Sequence, residues 1–266
     1  MLDIKSIGGR PLNRVLAAPF SRTHYVAICN AFGIYTEPID SLKRYLFNAG
    51  EYPHTVQVKS PMGILNLNTY THHDMLTVSE IFCRKDYHAD QRDVVVADFG
   101  SNIGISAAYF LSRSPRSHVY LFEPLPFNVD RLLANIKPFQ GRFTLSQVAV
   151  GLSNGTAEFG WEESGRYGGI GKETGHNLIV ECVDSNKILE GIVAKHGRID
   201  VLKIDIETLE EPVTSRIPLE IATKINKVYV EFVFASNPLA RTHRMRQYGS
   251  IAQFTNLTWK APQDFA

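Results

Sequence analysis

The run Val94-Val95-Val96-Ala97-Asp98-Phe99-Gly100-Ser101-Asn102-Ile103-Gly104, followed by Phe122-Glu123-Pro124, constrains this chain more than any other feature. Its continuous apolar start predicts a strand buried on both faces. Gly100 and Gly104 predict a tight turn that opens a helix. A second strand, His118–Phe122, then ends in a carboxylate. Open parallel sheets bind ligands beyond the carboxyl ends of their strands. Such a unit is built to hold a nucleoside: the glycines allow close approach of the backbone, and Glu123 accepts hydrogen bonds from ribose hydroxyls.

At 266 residues the chain is long enough for one large domain, or one domain with an appendage. With 44% hydrophobic and 21% charged residues, it is not a disordered chain. A net charge of +1 argues against a nucleic-acid partner. Cys29, Cys83 and Cys182 lie far apart without metal-type spacing, so reduced thiols are expected rather than a disulfide framework. The start Met1-Leu2-Asp3-Ile4-Lys5 lacks the basic and apolar segments of a signal peptide, and no apolar run reaches ~18 residues. These points predict a soluble, cytoplasmic protein with no membrane span.

Residues 1–90 read as an N-terminal cap of helices and a β-hairpin, and 91–266 as the main domain. In the cap, Ile39, Leu42, Tyr45 and Leu46 predict a helix over 38–48. Thr55–Val58 and Ile64–Leu67 flank a turn, and Met75, Val78, Ile81 and Phe82 predict a second helix. In the main domain strands and helices alternate. Helices are expected after Gly104, around Val129–Ile136 and over Ser185–His196, the last capped by Asp184. Strands are expected at Phe143–Val150, Val201–Ile204 and Val228–Val233. The glycine-dense stretch 151–181 reads as a hairpin with a loop crossing. The whole predicts an α/β fold with a doubly wound, mostly parallel, Rossmann-like sheet.

A dinucleotide site requires Gly-x-Gly-x-x-Gly after the first strand. Here Asn102 stands between two glycines four residues apart, so the middle glycine is missing. Asp98, directly before the turn, would repel a pyrophosphate and suits a cationic sulfonium and ammonium better. An NAD-type oxidoreductase is therefore the alternative rather than the first reading.

Asp98–Gly104 resembles the cofactor loop of class I methyltransferases, and in detail the chain resembles the FkbM family of S-adenosylmethionine-dependent O-methyltransferases. Supporting stretches are Phe122-Glu123-Pro124 with Pro126 and Asn135, Val148–Gly151, Asp200–Glu207 and the strand-ending Glu231. The resemblance spans roughly 55–260. It implies that Gly100, Ser101, Asn102 and Gly104 lie against the methionine end of S-adenosylmethionine, and that Glu123 holds the ribose. Val148 and Ala149 would border the adenine. Two departures stand out: Ser101 replaces the usual alanine, and Thr208 the usual glycine after Asp-x-Glu.

Lys203, Asp205 and Glu207 alternate along a strand end and are therefore expected to share one face, which opens on the methyl group. Asp205 or Glu207 is the expected group that orients or deprotonates an acceptor hydroxyl, with Lys203 setting the local field; a structural ion pair is the competing role of Lys203. Asp205, Glu207 and Glu231 also offer an alternative use as oxygen-only ligands for Mg²⁺. His72 and His73 lack a third ligand at metal spacing, and Asp74 reads as the cap of the next helix. The resemblance implies an acceptor hydroxyl on a sugar, glycolipid, polysaccharide or related natural product. Tyr70, Trp161 and Tyr167 could stack on a sugar ring. Arg241, His243, Arg244 and Arg246 read as a solvated helix face, with phosphate recognition as the alternative. A homo-oligomer and a non-catalytic cofactor-binding protein are both left open.

Overall fold

The computed structural model describes residues 6–7, 10–11, 22–162 and 168–259. The chain divides into two compact units, Met1–His88 and Ala89–Ala266.

In the first unit, β1 (Ser6–Ile7) pairs with β2 (Arg10–Pro11). Helix α1 (Arg22–Ile34) precedes α2 (Pro38–Phe47), whose proline occupies the first turn, where a missing N–H costs nothing. Strands β3 (His54–Ser60) and β4 (Gly63–Thr69) form an antiparallel hairpin with Val56, Val58, Leu65 and Leu67 turned inward. Helix α3 (His72–Val78) starts in a capping box. Thr71 is the cap, and the Asp74 carboxylate reciprocates by accepting from the Thr71 and Tyr70 amides at 2.9 and 2.7 Å. The N-cap is thus three residues earlier than the sequence reading placed it, with Asp74 as its partner in the capping box. The helix runs on as a π-helical segment, Ser79–Arg84, which buries Ile81, Phe82 and Cys83 in succession. Asn30 of α1 donates to the Cys83 carbonyl there at 2.7 Å.

The second unit contains, in order, β5 (Val95–Phe99), α4 (Ile105–Leu111), β6 (His118–Phe122), α5 (Pro126–Ile136), β7 (Phe143–Ser146), β8 (Ala149–Gly151), β9 (Gly155–Trp161), β10 (Gly168–Ile170) and β11 (His176–Asp184). It continues with α6 (Ser185–His196), β12 (Ile199–Ile204), α7 (Glu210–Ser215), α8 (Leu219–Ala222), β13 (Ile225–Glu231), β14 (His243–Tyr248) and β15 (Ile251–Asn256). Seven strands form one sheet in the order β14-β15-β13-β12-β5-β6-β7. β5, β6, β7, β12 and β13 pair in parallel, and β15 is antiparallel to both its neighbours. This is an α/β, mostly parallel, doubly wound Rossmann-like sheet. β5 and β12 lie at its centre, fully buried, which is why both read as unbroken apolar runs. Leu189 and Ile192 of α6, Val213 of α7 and Ile221 of α8 pack with Ala97, Phe99, Leu202 and Val228 in the main core.

Three expectations are corrected. The strand expected at Phe143–Val150 divides: β7 stays on the main sheet, whereas β8 pairs in parallel with β11 in a separate four-stranded sheet. As an edge strand, β7 has no further neighbour to hold the chain on the main sheet. The strand expected at Val228–Val233 ends at Glu231, leaving Val233 64% exposed. The basic C-terminal segment is an antiparallel strand pair and not a helix face. His243 is buried, bonded to Thr242 Oγ1 and the Ile225 carbonyl at 2.8 and 3.1 Å.

The glycine-dense stretch builds β9, β10 and β11. Antiparallel pairing of β9 with β11 gives the expected hairpin, with β10 added on its outer side. Tyr167 and Gly165 lie outside the described residues.

Candidate active site

The turn after β5 is stitched to the end of β6. The amides of Gly100 and Ser101 both donate to the Phe122 carbonyl, at 3.1 and 3.0 Å. The Ser101 hydroxyl donates to the Asp98 carbonyl at 2.9 Å and accepts from the Phe122 amide at 3.1 Å. Replacing the family's alanine by serine therefore adds two bonds to the turn. Asn102 takes a positive φ of 46°, and its amide donates to Glu123 Oε2 at 2.9 Å. Buried Asn135 of α5 holds the far side of the turn by donating to the Ile103 carbonyl at 2.9 Å.

Gly100 is dictated by space as well as by its φ of 80°. A Cβ there would fall 1.8 Å from the Asp205 carbonyl oxygen. Gly104, φ 84°, precedes α4, and a Cβ would meet Leu132 Cγ at 3.0 Å.

Glu123 is 5% exposed. Its carboxylate accepts from the amides of Asn102 and Leu125 and from Asn128 Nδ2 at 3.2 Å. Burial pushes its carboxyl up to about 7, against the pull of those donors. A carboxylate offers about four acceptor positions, so capacity beyond these three donors is left for a ligand hydroxyl.

Below the turn lies a buried row of alternating charge. Lys203 Nζ sits 3.1 Å from Asp98 Oδ1 and 3.2 Å from Asp205 Oδ2, and donates to the Gly100 carbonyl at 2.9 Å. Ser106 donates to Asp98 Oδ2 at 2.6 Å. Burial opposes the lysine's charge, but Asp205 and Asp98 more than offset it and hold the ammonium above its ordinary range. Burial pushes the Asp98 carboxyl up, with Lys203 and Ser106 opposing it. Asp98 has no exposed surface, whereas the Asp205 side chain is 28% exposed. Asp98 therefore faces Lys203 and Ser106, not the open end of the sheet, and Asp205 is the accessible end of the row.

Lys203, Asp205 and Glu207 do not share one face. Strand β12 stops at Ile204, level with Phe99 of β5. The chain then turns through Glu207 and Thr208, at φ 54° and 100°. Thr208 thus keeps the left-handed backbone that favours the family's glycine, and its hydroxyl donates to the Ile170 carbonyl at 3.0 Å. Glu207 pairs with Lys172 at 2.9 Å, next to β10. Buried Glu210 accepts from the Ile206 amide at 3.0 Å. Lys172 and Glu210 carried no sequence motif; the partners of Glu207 and Ile206 come from turns that periodicity does not reveal.

The structure brings Asp98, Gly100, Lys203 and Asp205 together, and Ser101, Asn102 and Glu123 beside them. Val148 packs in the main core. Ala149 clusters with Leu125, Phe159 and Val180 in a smaller core. Among the described residues no three His, Cys, Asp or Glu side chains gather into a metal-holding group, so the alternative of Mg²⁺ on Asp205, Glu207 and Glu231 is not supported. The His72 and His73 rings are tilted and 6.2 Å apart, in the first unit with Tyr70.

Strand order, glycine turn and strand-end acid together define a class I methyltransferase. Residues 98–250 match the Methyltransferase FkbM domain, and the chain belongs to that family. It is 26% identical to the hexuronic acid methyltransferase AglP of Haloferax volcanii, over 76% of this chain and 87% of that protein. It is also 29% identical to the AMB antimetabolite synthetase AmbE of Pseudomonas aeruginosa, over 63% of this chain, which spans about a tenth (10%) of the synthetase. Among solved structures it is similar to the fibrillarin pre-rRNA processing protein of Methanococcus jannaschii, with a TM-score of 0.36, 12% identity, and 65% and 69% of the two chains covered.

The family uses S-adenosylmethionine, and the site fits that molecule. Glu123, with acceptor capacity left over, would hold the ribose hydroxyls, and the Asp98–Lys203–Asp205 row, with one net negative charge, would complement a sulfonium. Among the described residues no helix is long and apolar enough to cross a membrane.

Proposed function

We propose that this protein transfers a methyl group from S-adenosylmethionine to a hydroxyl oxygen of a sugar or related polyol. The observation that carries this reading is the alignment with AglP along most of both chains. The exposed end of the charge row at Asp205, set against the Gly100 turn, supports it. When bound, S-adenosylmethionine supplies an electrophilic methyl group. Asp205 orients the acceptor hydroxyl and takes its proton as the new C–O bond forms and the methyl–sulfur bond breaks, with S-adenosylhomocysteine leaving as a neutral thioether. Such a placed base contributes roughly 10²–10⁴-fold. Lys203 fixes that carboxylate from below. Asp98 balances the lysine, so the row gains no net positive charge near the sulfonium.

The test is transfer of labelled methyl from S-adenosylmethionine into glycan and lipid extracts, with the product identified after methanolysis. Label in O-methyl sugars upholds the reading. Label confined to amines or carbon, or no label, overturns it. Binding of NAD rather than S-adenosylhomocysteine by calorimetry would instead restore the oxidoreductase.

A further inference from the structure

A cleft of about 500 Å³ opens beside the strand-end acid, in the size range of small-molecule sites. Its apolar wall is Leu125, Phe127, Trp161 and Leu178. Asp130, His176 and Asn177 bring polar groups to the same space. Two relationships tie it to the site above. The Leu125 amide donates to Glu123 Oε1 at 3.0 Å, so one wall begins at the acid itself. Trp161 and His176 belong to the sheet whose β10 packs on the turn after Asp205: a Cβ on Gly169 would lie 2.3 Å from the Glu207 carbonyl oxygen.

The aromatic wall is preorganised. Trp161 stacks on His176 with ring centroids 4.6 Å apart, and packs on Phe127 at 5.0 Å. Arg131 lies over Phe127, 5.5 Å from its centroid, and is not a lining residue. A rigid aromatic surface binds without losing rotamer freedom. The polar complement is a carboxylate, a carboxamide and an imidazole, a set suited to hydroxyl groups, which both donate and accept. Among the described residues no lysine or arginine lines the cleft to neutralise a phosphate or a carboxylate, and Asp130 brings a negative charge to it.

We infer that this cleft holds the ring of the methyl acceptor, and that the ring is an uncharged pyranose rather than a hexuronate or a sugar phosphate. The inference rests on the sugar O-methyltransferase reading for its function, but the cleft can be tested on its own. Asp130 would face a ligand carboxylate as a like charge; at solvent-exposed separations near 4 Å that costs about 1 kcal/mol, or roughly fivefold in affinity.

The chain has two tryptophans, Trp161 and Trp259, so a Trp259→Phe variant reports on the cleft alone. Its fluorescence is titrated with methyl β-glucopyranoside and with the corresponding glucuronide, with S-adenosylhomocysteine present, while methyl transfer to both is assayed in parallel. The inference expects saturable binding of the neutral glycoside, about fivefold weaker binding of the glucuronide, and loss of that preference in Asp130→Asn. Trp161→Leu should raise the acceptor KM at least about tenfold and leave S-adenosylhomocysteine affinity within about threefold. If that variant fails to fold, exposed Asn177→Ala serves as the probe, with a severalfold rise in KM.

Sugar methylation with an acceptor KM indifferent to both variants overturns the cleft and leaves the proposed function standing. Saturable binding of the neutral sugar without methyl transfer upholds the cleft and overturns the function. Preference for the glucuronide, or a variant effect on S-adenosylhomocysteine instead of sugar, overturns the inference.

Discussion

Lys203 and Asp98 form an ion pair 3.1 Å long directly beneath the glycine turn at Gly100, with side chains 3% and 0% exposed. Removing one partner leaves a buried charge without its counter-ion, which is far more damaging than losing an exposed pair. Lys203→Met is expected to destabilise the protein by about 3–5 kcal/mol. The double variant Asp98→Asn, Lys203→Met should recover part of that loss. Urea unfolding of the two variants checks it; a double variant no more stable than the single one contradicts the pairing.

Asp205 and Glu207 are separated by their partners, buried Lys203 for the one and Lys172 for the other. Asp205→Asn should lower kcat by roughly 10²-fold or more while S-adenosylhomocysteine affinity stays within about threefold. Glu207→Gln should leave kcat within a few-fold, because its carboxylate serves the partly exposed Lys172 pair, worth at most about 1 kcal/mol. Steady-state kinetics with a calorimetric binding control distinguish them. Equal losses in both variants would show that Glu207 also reaches the acceptor.

The two glycines of the turn differ in what surrounds them. Gly100→Ala drives a Cβ into the Asp205 backbone at a positive φ and should cost about 3 kcal/mol or more. Gly104→Ala would meet the Cγ, Cα and carbonyl oxygen of Leu132 at 3.0, 3.1 and 3.3 Å, a milder overlap relieved by a shift of tenths of an ångström, and at its positive φ should cost about 1–2 kcal/mol. Reversal of this order in urea unfolding would place the tight contact at the wrong glycine.

Glu123 predicts a pH dependence with a definite sign. Its folded carboxyl is raised from 4.5 to about 7, so the folded protein keeps a proton that the unfolded chain has released between those values. The stability from this group is fully present below about pH 4.5 and is lost as pH rises through 7, roughly 3 kcal/mol in all. Unfolding free energies from pH 5 to pH 8 should fall in the wild type and show a smaller fall in Glu123→Gln. Equal slopes would contradict the raised carboxyl.

The centre of the sheet was legible because buried parallel strands are written as unbroken apolar runs: Val94–Ala97 overlaps β5, which starts at Val95, and Val201–Ile204 falls in β12. The turn was legible because Gly100 and Gly104 do take positive φ. The Lys203–Glu207 face was misread because alternation continues in sequence past the point where the strand ends. What stops it is its register with β5 and the left-handed backbone at Glu207 and Thr208, residue types that do not announce such a conformation. Likewise Arg244 and Arg246 fit a helix face or an edge strand equally well. Their pairing with β15 is a long-range choice that local pattern does not record.

The most direct test is single-turnover transfer of labelled methyl from S-adenosylmethionine to a neutral glycoside, run side by side with wild-type protein and Asp205→Asn. The account predicts O-methyl product from the wild type and roughly a hundredfold slower product formation by the variant, with the donor still bound. Transfer at the same rate by both proteins, or no transfer to oxygen by either, would contradict it.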